Sequence, residues 1–296
     1  MFKGGDKVKP RWIILITIAL FVGIFSFAGC STNQESEKQI ISEDETKIIS
    51  NGSEKFRIAA MDYPPIEFVE EGEFKGAGIE VIREVMKRMG YKHSDYEIVE
   101  YPWSRIIEIT QSGSDEIDMV LDIYETTERS VYLDFSTIPY MYYPQVMITR
   151  KTTDIDSIET LEDLRPYTVG TVKHYSYGPE IDNAIKDGLI SIEEVFDSDQ
   201  NLTKLISGRV DIVIEGYYNA VEVIQEKGYE DDLKIIELPV VPLKSYVAFP
   251  KSKQLDEFRK KYDKTMTEMS KDGTIKEIFE KYYDENTINI ESMIDY

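Results

Sequence analysis

The chain has 296 residues, with 34 Lys and Arg against 56 Asp and Glu and a formal net charge of −22. A phosphate backbone needs an excess of cations to release its counterions, which excludes nucleic acid as a partner. At 42% apolar and 30% charged residues the composition is that of a globular protein, and the length suggests roughly two domains of ~100–150 residues. The lone Cys30 makes no intramolecular disulfide, and His93 and His174 are far apart, so a disulfide scaffold, a zinc site and any other metal or cofactor are not expected.

The N-terminus reads as an export address. Lys3, Lys7, Lys9 and Arg11 precede an apolar run over residues 13–27, which closes in Phe27-Ala28-Gly29-Cys30. Charge, apolar stretch and small residues follow one another as in a secretory signal peptide, and the run is too short to be read as a transmembrane span. The four closing residues resemble the bacterial lipobox, although Phe27 stands where an aliphatic residue is usual. That resemblance implies a signal peptide over 1–29 and acylation of Cys30, palmitate included; the alternative is a simple N-terminal membrane anchor, and both imply export. Two or three acyl chains hold a protein stably on a membrane, whereas one is marginal. Cleavage removes four cations and one anion, Asp6, from −22 and leaves −25. Residues 31–54 are mostly Ser, Asn, Gln, Glu and Lys, cannot repay the entropy of ordering, and with Cys30 form a tether over 30–54.

Beyond the tether the pattern becomes regular. Residues 56–60 form a strand, Pro64-Pro65 a turn, and Ile79, Ile82, Val85, Met86 and Met89 mark one face of a helix that Gly90 ends. Residues 96–101 alternate like a strand, 105–111 are helical and 118–121 form a short buried strand. Strand, helix, strand, helix, strand implies a parallel sheet of βαβ units. The pattern then starts again, with strands at 168–171, 192–196 and 211–214 and helices near 181–186 and 202–207. An internal echo supports two similar lobes: Ser112-Gly113 precedes Ile117-Asp118-Met119-Val120 as Ser207-Gly208 precedes Val210-Asp211-Ile212-Val213. Strands at 233–238 and 245–249 follow, then helices at 255–269 and 274–283, broken at Asp272-Gly273.

In an open α/β sheet ligands bind beyond the carboxyl ends of the strands, which singles out residues 61–63, 101–103, 121–124, 171–177 and 215–218. Tyr63 and Trp103 each sit beside a Pro, and each ring is either the wall of a small-molecule pocket or interlobe core. Arg129, in Thr126-Thr127-Glu128-Arg129, offers a planar fork for a carboxylate near a capped helix start, or is an ordinary solvated charge. Lys173-His174-Tyr175-Ser176-Tyr177 lacks the spacing of a phosphate loop, and Lys75-Gly76-Ala77-Gly78 is a turn, so no nucleotide site is supported. Glu215 ends a buried strand, where it either binds an ammonium or faces solvent. No Gly-x-Ser-x-Gly elbow or other nucleophile arrangement is present, and carboxylates are too numerous for one pair to stand out as acid and base.

Several runs, in order, resemble the bacterial extracellular solute-binding proteins of family 3, the polar amino-acid uptake class that serves ATP-driven importers. They are Met61-Asp62-Tyr63-Pro64-Pro65-Ile66-Glu67-Phe68, Gly76-Ala77-Gly78-Ile79-Glu80, Thr126-Thr127-Glu128-Arg129 with Leu133-Asp134-Phe135-Ser136 and Pro139-Tyr140, Leu161-Glu162-Asp163-Leu164, Ser207-Gly208-Arg209-Val210-Asp211, and Lys271-Asp272-Gly273-Thr274-Ile275. Each is weak alone, and together they cover about residues 55–283. The resemblance implies an α/β, two-lobed periplasmic-binding-protein-like fold of type II, with two βαβ lobes joined by a two-strand hinge. The division expected is lobe 1 at 55–146 and 247–283, lobe 2 at 147–246 and a tail at 284–296, with crossings near Met147-Ile148-Thr149 and Tyr246-Val247-Ala248.

By position, Tyr63 and Trp103 resemble the family's aromatic clamp and Arg129 its carboxylate anchor. The ligand-binding set is Tyr63, Trp103, Leu121, Asp122, Tyr124, Arg129, His174, Tyr175, Ser176, Glu215 and Tyr217. Two departures stand out. Leu121-Asp122-Ile123-Tyr124 replaces small Ser, Gly or Thr residues, and the acid that grips the α-ammonium falls on Gly216, with Glu215 one place early and facing the other way in a regular strand. With Asp122 and Glu215 near the pocket, the expected ligand carries a cationic group beside its carboxylate. The function expected is a monomeric, membrane-tethered binding protein, not an enzyme, that delivers a small polar solute to the membrane subunits of an ABC importer. Its rivals are a cyclohexadienyl-dehydratase-like enzyme on the same fold and an accessory ligand sensor for a receptor.

Overall fold

The computed structural model describes residues 55–283, 290 and 294. The expected leader, the acylated Cys30 and the tether lie outside the described residues, as does most of the expected tail. The chain opens with β1 (Phe56–Ala60), a small antiparallel hairpin of β2 (Phe68–Glu70) and β3 (Glu73–Lys75), α1 (Ala77–Arg88), β4 (Tyr96–Glu100), α2 (Trp103–Ser112) and β5 (Met119–Tyr124). β6 (Leu133–Phe135) and β7 (Met141–Tyr143) follow. The second lobe comprises β8 (Gln145–Arg150), β9 (Thr168–Val172), α3 (Pro179–Lys186), β10 (Ser191–Val195), α4 (Ser198–Ile206), β11 (Ile212–Gly216), α5 (Tyr217–Glu226) and β12 (Leu233–Glu237). The chain returns through β13 (Leu243–Pro250) to α6 (Asp256–Lys271) and α7 (Thr274–Phe279).

The first sheet has the order β4-β1-β5-β13-β6, with β7 paired to β13, and the second the order β10-β9-β11-β8-β12. In each, three parallel strands built from βαβ units meet one antiparallel strand that adjoins the crossing, β13 on β5 and β8 on β11. Both faces of both sheets are covered, so the strands read as nearly continuous apolar runs. Ile58 and Ala60 face a core shared with α1, α6 and α7, whereas Ala59 faces the α2 side with Ile106 and Ile107. The alternation repeats in the second lobe, where Ile212 and Ile214 face the core of α3 and Val213 the core of α4 and α5. Ile79, Ile82, Val85 and Met86 bury the α1 stripe against the sheet, each contributing ~1.5–3 kcal/mol. Ile290 is buried in the same core and Ile294 packs against it.

The change of sheet falls earlier than expected. β7 belongs to the first sheet and β8 to the second, so the outward crossing is at Pro144 and the return lies between Glu237 and Leu243. Met147, Ile148 and Thr149 are inside β8, paired to β11 and β12, and Tyr246 and Ala248 are inside β13, paired to β5. α5 has no counterpart among the expected elements, because its two leading tyrosines continue the look of the strand before it.

The internal echo has a structural cause. Gly113 and Gly208 both take a left-handed conformation, φ 70° and 72°, just after a helix. Asp118 then donates its N–H to Arg57 and accepts from the Arg57 N–H at 2.8 Å, and Asp211 does the same with Thr168, accepting at 3.0 Å. Each Asp thereby pins the start of the first parallel strand of its lobe, β1 or β9. Replacing Asp118 or Asp211 by Ala should lower stability by ~1–2 kcal/mol in urea unfolding with an unchanged m value; stability equal to the parent would show that the echo is not structural.

Candidate functional site

Where the two sheets face each other, the carboxyl ends of β1, β5, β9 and β11 and the start of α2 frame a cavity. Met61, Tyr63, Trp103, Asp122, Tyr124 and Arg129 line it from the first lobe, and Gln145, Tyr175, Ser176, Tyr177, Glu215 and Gly216 from the second. The lobes touch across it. Trp103 Nε1 and Arg129 Nη2 both donate to the His174 carbonyl, at 3.0 and 2.9 Å. Tyr63 Oη donates to Glu215 Oε1 at 2.7 Å, and Asn219 Nδ2 to the Pro64 carbonyl at 2.9 Å. The cleft is closed.

Arg129 stands at the start of a single 3-10 turn, Arg129–Val131, held by Thr126 Oγ1, which accepts from its backbone N–H at 3.1 Å. Its guanidinium is buried, donates to the Tyr124 carbonyl at 2.7 Å and lies 5.1 Å from the Trp103 ring centroid. Carbonyls and a ring face orient the fork and leave its charge uncompensated. The acids that act on it are Asp182 and Glu128, neither of which lines the cavity, and burial pushes its pKa down. A carboxylate entering the cavity would find an aimed, dehydrated cation.

Two buried carboxyls line the same space. Asp122 owes its position to a β-bulge: Tyr246 pairs with Ile123 but Ala248 with Val120, so β5 carries one extra residue. Asp122 adopts φ 47° there, Leu121 stays on the α1 face and Ile123 joins Val120 on the α2 face. The Asp122 carboxylate accepts from Tyr143 Oη at 2.6 Å and from Ser245 Oγ; burial pushes its pKa up to about 6, against those two hydrogen bonds. Glu215 lies at the end of β11 and accepts from Tyr63, from Ser198 Oγ at 2.8 Å and from the Gly216 N–H at 2.9 Å. Burial raises its pKa as well. Glu67 is buried outside the cavity lining, with Oε2 lacking a hydrogen-bond partner and its pKa pushed well up by burial and then by Asp122. Among the described residues no group of three or more His, Cys, Asp and Glu could hold a metal ion.

Of the residues singled out from sequence, Tyr63, Trp103, Asp122, Tyr124, Arg129, Tyr175, Ser176 and Glu215 line the cavity. Three do not. Leu121 is buried in the first-lobe core, and Tyr217 packs on core residues of both lobes. His174 points its ring outward while its carbonyl, turned in by φ 64°, receives Trp103 and Arg129. Glu215 does leave the strand on the α4 side, where Ser198 meets it, yet at the last turn of β11 its carboxylate still reaches the cleft. Met61, Tyr177, Gly216 and Gln145 complete the lining and are not in the ligand-binding set drawn from sequence. The first three lie in the windows at strand ends; Gln145 carries no signal, because the expected crossing comes after it.

The family model for bacterial extracellular solute-binding proteins, family 3, matches residues 57–285. The chain belongs to that family. Membership places this solute-binding protein outside the cytoplasm, and among the described residues no helix is long and apolar enough to cross a membrane. It is 26% identical to the probable amino-acid-binding protein YxeM of Bacillus subtilis over 282 residues, 95% of this chain and 97% of that one. It is 26% identical to the arginine-binding extracellular protein ArtP of the same organism over 291 residues, 92% and 98% of the two chains. An ancestral arginine-binding protein solved with arginine superposes with a TM-score of 0.65 at 28% identity, over 78% of this chain and 98% of that one. These relatives are named as binding proteins, not enzymes, and the type II binding-protein fold is that of the solved structure.

The raised carboxyl groups have a consequence for stability. Asp122, Glu215 and Glu67 hold their protons more tightly folded than unfolded, so stability is greatest while all three are protonated and falls as pH rises through their folded pKa values. Asp272, lowered to about 2 by Thr274 and Arg88, acts only at more acidic pH. Ligand-free protein should therefore melt several degrees higher at pH 5 than at pH 8 in calorimetry, and the doubly substituted Glu67→Gln, Asp122→Asn protein should show a smaller difference. A higher melting temperature at pH 8 would contradict this electrostatic picture.

Proposed function

We propose that this protein captures a small zwitterionic, amino-acid-like solute by closing its two lobes over it, and presents the solute to the membrane subunits of an ABC importer. The observation that carries the reading is Arg129, a buried guanidinium that among the described residues bonds only to carbonyls, in a cavity shared with two carboxyls, Asp122 and Glu215, whose hydrogen-bond donors are all neutral. A solute with a carboxylate and a cationic group supplies both missing charges, and the aromatic rings of Tyr63, Trp103 and Tyr175 wall its carbon skeleton. The naming of YxeM and ArtP as amino-acid- and arginine-binding proteins supports the solute class. The protein acts as a monomer held to the membrane by acyl chains on Cys30, with residues 31–54 as the tether. The solute favours the closed form because only there do both lobes reach it.

A thermal-shift screen of the common amino acids on solute-depleted protein, followed by calorimetry and small-angle X-ray scattering with the best stabiliser, tests this. The expected result is saturable binding with a fall in the radius of gyration, and a loss on the order of 100-fold or more in affinity for Arg129→Met. An Arg129→Met protein that binds and compacts like the parent would overturn the proposal. Asp122, a cleft carboxyl with a pKa near 6, is what a dehydratase would need as general acid, and turnover of prephenate-type substrates would establish that second reading.

A further inference from the structure

The two cavity carboxyls are not equivalent. Glu215, from the second lobe, accepts three protein hydrogen bonds, from Tyr63, Ser198 and the Gly216 N–H. Of the roughly four acceptor directions of a carboxylate, three are thus occupied, and one of the donors comes from the opposite lobe. Gly216 makes this possible: a Cβ there would lie 2.8 Å from Tyr63 Oη and 3.2 Å from Tyr143 Cδ1. Any side chain at 216 would displace the tyrosine that crosses the cleft. Among the described residues Asp122 accepts only from Tyr143 and Ser245, on strands of its own sheet, so that two of its roughly four acceptor directions have no protein donor while it lines the cavity.

The geometry points to a division of labour that rests on the solute-binding reading of the same site: both charges of the solute are read by the first lobe, its carboxylate by Arg129 and its ammonium by Asp122. Glu215 of the second lobe serves as the acceptor of a closure latch with Tyr63. Recognition is then complete before the lobes meet, and the Tyr63–Glu215 bond adds to the stability of the closed form for any solute that fits. Gly216, which leaves room for Tyr63 to reach Glu215, is what separates the two tasks.

Calorimetry with two matched pairs tests this, L-arginine against 5-guanidinopentanoate and L-glutamine against glutaramate, each pair differing only by the α-ammonium. In the parent protein the amino acid of at least one pair should bind more tightly than its desamino partner. Glu215→Gln should leave that preference within a few-fold of the parent. Tyr63→Phe, which breaks the latch from the other side, should weaken both members of the pair by a similar factor, roughly tenfold. Asp122→Asn should reduce the preference at least tenfold. A preference that collapses in Glu215→Gln and survives in Asp122→Asn would overturn the assignment and make Glu215 the ammonium ligand. Should the parent bind neither amino acid, the same comparison is made with the best stabiliser of the screen and its desamino analogue; should no amino acid bind, the amino-acid reading itself fails, and this assignment with it.

Discussion

A buried guanidinium that, among the described residues, bonds to carbonyls and to no carboxylate is the constraint from which the rest of this molecule follows. Arg129 is buried between Trp103 and two carbonyls, one from each lobe. A charge so placed costs several kcal/mol unless it is paired, and the closed cleft leaves it unpaired while burying Asp122 and Glu215 beside it. Closing an empty cleft therefore works against electrostatics. A solute that brings the complementary charges reverses that sign, and an interaction available only in one conformation is what shifts a two-state equilibrium.

The fold delivers these groups to one place by repetition with local exceptions. Two three-strand parallel units, each pinned by an Asp at the start of its last strand, direct their carboxyl ends toward each other. On this regular frame the site residues sit where regularity fails: Asp122 on a bulge, His174 with a left-handed backbone, Glu215 at the last turn of β11 beside a residue with no side chain. Backbone irregularity confined to a binding rim is where strain serves function.

The same contrast explains what is legible in the sequence. β1 stands where the apolar run places it, and the α1 stripe of Ile79, Ile82, Val85 and Met86 is buried as its spacing requires. Periodicity reports burial, and burial is what these elements are for. Tyr63, Trp103 and Arg129 follow strand ends in a topology that periodicity already implies, and the resemblance to the family is what picks them out as clamp and anchor. Leu121 lies with Met119 on the core face by ordinary alternation, whereas the shared face of Val120 and Ile123 is set by the extra residue, of which a regular strand gives no warning. His174 misleads because its carbonyl, rather than its side chain, does the work. The crossing into the second lobe does carry a signal, Pro144, which cannot donate to a ladder and so separates β7 from β8.

The direct test of the central claim is to remove the solute's negative charge while keeping its shape, by comparing L-arginine and L-glutamine with their C-terminal amides in calorimetry on solute-depleted protein. If the unpaired guanidinium is what the solute completes, amidation should abolish binding or weaken it by on the order of 100-fold. Amides that bind as tightly as the free acids would contradict the claim, because Arg129 would then hold the lobes together and do nothing more.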